Sequence, residues 1–244
     1  MDPDASTGET MESNIRASAA MQRGATATFD RGAAVTRSLL GYGVVVGPFY
    51  LAVGLIQAFV RDGFVFARHP LSVLANGPGG WVQTANFVVS GLMVVAAAIG
   101  FARVLGRGSR AVCWFLGAFG VSMLAAAVFR ADPVDGFPVG TPLGMPTTIS
   151  PRGMGHFIAG MIGFVSLAIS ALVAVRVMSK RGEQRMSRIS LFSGLAIVLG
   201  FFGGFIPGVS LGVAGIWFSV VVGWVWLAVL SLHLYRVSPD PNCE

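Results

Sequence analysis

The chain has 244 residues, of which 54% are hydrophobic and 11% are charged, and its mean hydropathy is +0.73. A soluble globule of this length needs more polar surface than that, so the composition predicts a polytopic membrane protein with the lipid bilayer as its main partner. Anionic lipid headgroups explain the formal net charge of +6 better than a nucleic acid does, and no nucleic-acid partner is expected. The chain has no G-x-x-x-x-G-K and no C-x-x-C motif, and no cofactor is predicted.

The two ends of the chain are polar. Residues 1–38 contain no apolar run long enough for a cleavable signal peptide, and they are predicted to form a disordered cytoplasmic tail. The first apolar span must then act as the insertion signal. Residues 236–244 are predicted to form a second, short cytoplasmic tail.

Six apolar segments between these tails are long enough to cross a bilayer. They cover residues 39–60, 81–102, 111–129, 154–177, 189–206 and 212–235. At a rise of 1.5 Å per residue these helices measure roughly 27–36 Å, against a hydrocarbon core of about 30 Å. The predicted fold is therefore an all-α membrane protein, a six-transmembrane-helix bundle over residues 39–235 with two structured loops on its outer face.

Glycine spacing within the spans predicts close helix contacts. Gly43 and Gly47 in the first span, and Gly200 and Gly204 in the fifth, each form a G-x-x-x-G pattern, which allows helix backbones to approach closely. Four tryptophans, Trp81, Trp217, Trp224 and Trp226, are predicted to be packing or interface residues rather than parts of a ligand cage.

The basic residues predict the orientation. If the N-terminus is cytoplasmic, thirteen of the 17 Lys and Arg residues lie on that side, and only Arg61, Arg68, Arg130 and Arg152 lie outside. This asymmetry follows the positive-inside rule and places both termini in the cytoplasm of a multi-pass protein of the cell membrane. No Asp, Glu, Lys or Arg lies in the middle third of any span, which argues against an ion-coupled transporter.

The outer loops hold the residues that could carry chemistry. In the first loop, Pro70 is expected to open a short interfacial turn over 71–76, with His69 at its N-terminal edge. The second loop, 130–153, is long and rich in proline, and it is followed by His156 at the start of the fourth span. Loops of this length without secondary structure are uncommon and are often lids or binding loops.

Nine residues are candidates for one outward-facing site. His69, Asp132 and His156 could act as acids and bases, and ionisable groups beside hydrocarbon are expected to gather rather than scatter. Asp132 is expected to lie close to an arginine or a histidine. The remaining candidates would bind substrate, and they are Arg68, Ser72, Asn86, Arg130, Asp135 and Arg152.

Two loop motifs are similar to those of a known family. Residues 68–87, with the sequence RHPLSVLANGPGGWVQTANF, and residues 132–142, with DPVDGFPVGTP, resemble the DUF998 family of multi-pass membrane proteins of unknown function. The resemblance covers roughly residues 39–235 and implies six spans, two motif loops and a bacterial inner membrane, but no reaction. Arg152 stands where the family often has a histidine, which counts against a metal scheme that needs that histidine.

Several functions are compatible with these residues. One is an acid–base enzyme, an isomerase, cyclase or hydrolase, that acts on a lipophilic small molecule. Another is a non-catalytic module for lipid binding, sensing, assembly or an accessory role. A third is a metal site made of His69, His156 and either Asp132 or Asp135. A fourth interpretation is that the arginines, aspartates and histidines only hold the loops together. The oligomeric state is left open.

Overall fold

The computed structural model describes residues 29–144, 146–203 and 212–241. The described residues form six long α-helices and no strand. The helices are α1 (Arg31–Val60), α2 (Gly80–Leu105), α3 (Arg110–Val128), α4 (Pro151–Lys180), α5 (Gln184–Gly203) and α6 (Gly212–Val237). The predicted disorder of residues 1–28 lies outside the described residues, as do Gly204 and the end of the fifth predicted span.

All six helices are long and apolar enough to cross a membrane. The prediction of an all-α protein with six spans is confirmed. Helices α1, α4 and α5 begin three or more residues earlier than predicted, and the first turns of α1 and α4 are capped. The Asp30 carboxylate accepts hydrogen bonds from Gly32 N at 2.7 Å and Ala33 N at 3.1 Å, so α1 starts inside the region predicted as tail. Ser150 caps α4 in the same way, and hydropathy alone does not detect either cap.

The helices form a closed ring. Each helix packs against the next one in the chain, and α6 packs against α1. Because successive helices run in opposite directions, segments 61–79 and 129–150 share one end of the ring, here called the loop end. The opposite end, called the turn end, carries the connections 106–109 and 181–183.

The ring closes through glycines of α1. A Cβ atom added at Gly47 would lie 2.8 Å from Trp224 Cβ, and one added at Gly43 would overlap Ser231. The close contact predicted for Gly43 and Gly47 is confirmed, and it lies within the bundle, between α1 and α6. Gly200 packs against α6 as well, where an added Cβ would lie 2.9 Å from Gly215 O.

Polar contacts hold the turn end together. Asp30 N donates to Pro241 O at 3.0 Å, and the Arg37 guanidinium pairs with Asp240 at 2.9 Å. Arg103 Nε donates to Thr36 Oγ1 at 2.7 Å. The beginning of α1 and the residues after α6 therefore lie side by side.

The orientation of the ring in the membrane stays a prediction, which thiol labelling can check. Thr147 at the loop end and Gln184 at the turn end are both exposed. With Cys113 and Cys243 replaced by serine, we expect a membrane-impermeant maleimide applied to intact cells to modify a cysteine at position 147 and not one at 184. Modification at position 184 from outside would show that the orientation is the reverse of the predicted one.

Candidate functional site

A cavity of about 210 Å³ lies inside the ring. All six helices and the segment before α2 contribute to its wall, which is mostly aliphatic and aromatic. The lining residues are Tyr50, Pro70, Leu71, Ser72, Phe87, Phe119, Ser122, Met123, Ala126, His156, Phe157, Ala159, Gly160, Gly163, Phe164, Leu167, Phe201, Ile216, Trp217, Val220 and Trp224. Trp217 and Trp224, predicted only to pack or to lie at the interface, are parts of this wall.

Part of the first loop enters the bundle. Leu71–Ala75 forms a short 3₁₀-helix, close to the predicted turn, but it is buried rather than interfacial, and Leu74 has no exposed surface. Leu71 fits against Gly54 of α1, where an added Cβ would lie 2.8 Å from Leu71 Cδ1. Residues 70–72 thus form the part of the cavity wall that comes from the loop end.

Arg61 joins the two loops at this point. Its Nη1 and Nη2 atoms donate to Leu74 O and Asn76 O, both at 2.5 Å, and its guanidinium lies 4.9 Å from the Phe137 ring centre. Partial burial lowers the pKa of Arg61, although an arginine keeps its charge at neutral pH. Asn76 Nδ2 donates to Ala131 O at 2.9 Å. Arg61 was not among the predicted site residues.

The His69 side chain forms hydrogen bonds with backbone atoms of both loops. Its side chain is fully buried, Val65 N donates to Nδ1 at 2.9 Å, and Nε2 lies 3.1 Å from Asp135 O. Since Nδ1 accepts a hydrogen bond, Nε2 carries the proton and donates it to the carbonyl. The ring packs between Phe64 and Phe137, at centroid distances of 5.4 and 5.5 Å. His69 therefore connects the two loops, and it is not a lining residue of the cavity.

The Asp132 side chain forms hydrogen bonds with Ser150, the residue that caps α4. Its carboxylate accepts hydrogen bonds from Ser150 N, at 2.9 Å, and from Ser150 Oγ. Ser150 Oγ in turn accepts from Gly153 N at 2.9 Å. Among the described residues, Asp132 makes no ion pair within 4 Å. Asp132 does not line the cavity either.

His156 does line the cavity. Its Nδ1 lies 2.8 Å from Phe129 O, and its ring centre lies 6.2 Å from that of Phe87. Ser72 is the other predicted site residue in the wall. The sequence predicted that His69, Asp132 and His156 line a single cavity. The arrangement differs, because His69 and Asp132 form hydrogen bonds with loop residues instead.

The remaining predicted residues lie apart from the lining. Arg68 pairs with Asp135 at 3.8 Å, and Asp135 Oδ1 accepts from Gly144 N at 2.9 Å. Arg130 and Arg152 are exposed and make no hydrogen bond or ion pair within the described part of the chain. In that same part, no group of three or more His, Cys, Asp or Glu residues is arranged to hold a metal ion.

A buried polar network joins α1 and α2 beside the cavity. Gln57 Nε2 and Asn86 Nδ2 donate to Gln83 Oε1 at 2.9 and 3.2 Å, and Gln83 Nε2 lies 3.5 Å from the Tyr50 hydroxyl. Ser90 Oγ donates to Asn86 Oδ1 at 3.3 Å. Of these residues only Asn86 was predicted. The signal for Gln57 and Gln83 was an amide side chain within an apolar span, since polar groups in a membrane helix usually bond across helices.

The fold and the cavity define an integral membrane protein of the six-helix type, with an apolar cavity whose wall includes residues 70–72 of the loop end. Residues 44–233 match the family described as "Protein of unknown function (DUF998)". The chain belongs to this family, and the resemblance of its loop motifs is confirmed at the level of the family. No curated protein matches the chain, and no solved structure does.

Proposed function

We propose that this protein binds a lipophilic small molecule in the central cavity. The observation that carries the proposal is an apolar space of about 210 Å³ to which every helix of the ring contributes. An apolar cavity of about 150 Å³ in another protein stays dry and binds benzene. A space of this size would hold a substituted ring or a segment of a branched chain, and the rest of a larger molecule would extend beyond it.

The polar groups around the loop end would serve such a ligand in different ways. Arg61 and His69 hold the first loop, whose residues 70–72 form part of the wall, and Asp132 holds the second loop at the start of α4. Arg152 lies one helical turn before His156, and Arg130 follows Phe129, whose carbonyl contacts His156. An anionic or polar end of the ligand could therefore be bound by these two arginines at the outer face of the cell membrane.

Two neighbouring valines of α6 allow a matched test. Val220 lines the cavity, whereas Val221 is 42% exposed and faces away from it. Val220→Phe should fill the cavity and reduce the bound ligand about tenfold or more, while Val221→Phe adds the same ring on the outside and should leave it unchanged. The measurement is mass spectrometry of organic extracts from the full-length protein, purified from native membranes in parallel.

The control variant decides how the result is interpreted. A compound that is enriched with wild type and Val221→Phe but lost with Val220→Phe supports a ligand in the cavity. Equal amounts in both variants, or no compound enriched above the level of an unrelated membrane protein, would contradict the proposed function.

Catalysis is a second candidate because His156 lies in the cavity wall. Its imidazole is the one group of the three predicted acids and bases that reaches the cavity, and an imidazole can transfer protons near neutral pH. A binding protein would carry one unchanged compound. An isomerase, cyclase or hydrolase would carry two compounds related by its reaction, and His156→Gln would leave only the substrate.

A further inference from the structure

Trp224 has an indole N–H donor beside the cavity that no other described residue uses. The residue lines the cavity and is only 5% exposed, and its indole N–H has no hydrogen-bond partner among the described residues. The other two tryptophans inside the bundle do have partners. Trp217 Nε1 donates to His69 O at 3.2 Å, and Trp226 Nε1 donates to Ser190 Oγ at 3.1 Å. Because a buried tryptophan normally finds an acceptor, Trp224 is an exception that needs an explanation.

The polar network between α1 and α2 determines whether the Tyr50 hydroxyl donates or accepts its hydrogen bond with Gln83. Gln57 Nε2 lies 3.2 Å from Val53 O, and Asn86 Nδ2 lies 3.1 Å from the backbone oxygen of Tyr50. A backbone carbonyl can only accept, so both contacts identify the amide nitrogen. These same two nitrogens point at Gln83 Oε1. The Gln83 atom that receives both donors must be an acceptor, so it is the amide oxygen and not the amide nitrogen.

The assignment of the Gln83 amide determines the role of the Tyr50 hydroxyl. With its oxygen occupied by two donors, Gln83 turns its Nε2 towards the Tyr50 hydroxyl, 3.5 Å away. The hydroxyl oxygen accepts this hydrogen bond and keeps its own proton to donate. No acceptor for that proton lies among the described residues. Tyr50 lines the cavity, and its ring centre is 5.3 Å from that of Trp224.

We propose that the ligand of this cavity carries a carbonyl oxygen that accepts hydrogen bonds from Tyr50 and Trp224. This inference rests on the proposed function and names the chemical class of its ligand, a lipophilic carbonyl compound. A carbonyl oxygen has two lone pairs and can accept from both donors. Lipid tails match the apolar wall as well as any other hydrocarbon does, so the two donors supply the selectivity that apolar burial cannot.

Two probes of nearly the same shape isolate this contribution. Acetophenone has a carbonyl oxygen where α-methylstyrene has a CH₂ group. Equilibrium dialysis against nanodiscs with the full-length protein, corrected with empty nanodiscs, gives an affinity for each. The ratio of the two affinities is compared between variants, so that the partition of each probe into lipid cancels.

Tyr50→Phe removes only the hydroxyl group and should lower the ketone-to-alkene ratio about threefold to tenfold, and Trp224→Phe should do the same. Trp226→Phe is the matched control, because that indole is also buried and already donates to Ser190, and Trp226 is not a lining residue of the cavity. Its ratio should equal that of wild type. Tyr50→Phe also decides the matter if the larger change at Trp224 prevents folding.

The possible failures are distinguishable. If both probes bind, Val220→Phe blocks both and the ratio is unchanged in Tyr50→Phe and Trp224→Phe, the cavity binds lipophiles and the carbonyl inference is overturned. If neither probe binds above empty nanodiscs, or if Val220→Phe has no effect on either, the proposed function itself is overturned.

Discussion

Replacing Arg61 by alanine is expected to lower the free energy of unfolding by about 3 kcal/mol, because two hydrogen bonds from a charged donor are lost at once. One of the two acceptors belongs to Leu74, which has no exposed surface, so water does not readily replace the guanidinium. In a chain of this length the loss corresponds to a decrease in Tm on the order of 10 °C. Thermal unfolding in detergent, followed by tryptophan fluorescence, measures it.

Arg68→Ala is the control for this prediction. Arg68 lies in the same loop, but it is exposed and its ion pair with Asp135 spans 3.8 Å. Exposed pairs of this kind contribute about 0–1 kcal/mol, so this variant should stay close to wild type. Equal losses from the two substitutions would show that Arg61 has no special role in joining the loops.

The second large effect is expected at Gly153. An added Cβ would overlap the Asp132 carboxylate, which binds Ser150 at the start of α4. Gly153→Ala must therefore displace Asp132 or the first turn of the helix. The expected cost is about 2–3 kcal/mol, since a helix cap is lost together with charge-assisted hydrogen bonds. Chemical unfolding of the purified protein measures it.

Gly160→Ala makes the same chemical change two turns further along α4. An added Cβ at Gly160 meets no atom within 4 Å. The substitution should be neutral or should stabilise the protein by up to about 1 kcal/mol, because alanine favours the helix more than glycine does. A large loss at Gly160, or none at Gly153, would contradict the account of the capped helix.

The helices were predictable because membrane spans are defined by length and apolarity, which single segments reveal. The cavity was not, because spans that are apolar on all sides do not show which of their faces meet. Tyr50 illustrates the difficulty. A tyrosine within the first span looks like a packing residue until α2 places Gln83 beside its hydroxyl.

The contacts of the loop residues could not be predicted for a related reason. His69 and Asp132 stand out in an apolar chain, and conspicuous ionisable groups favour a catalytic interpretation. The sequence does not show how many backbone N–H and C=O groups of the loops need partners. In the structure the ring of His69 contacts Val65 N and Asp135 O, and Asp132 binds Ser150.

The order of the ring has a consequence for biogenesis. Helices that are neighbours in the chain are neighbours in space, so each helix after α1 finds its first partner already in the membrane when it leaves the insertion machinery. The last contact to form is that of α6 with α1. Since α6 supplies Trp217, Val220 and Trp224, the wall of the cavity is incomplete until this final helix is inserted. Ligand binding would thus report that synthesis of the ring is complete.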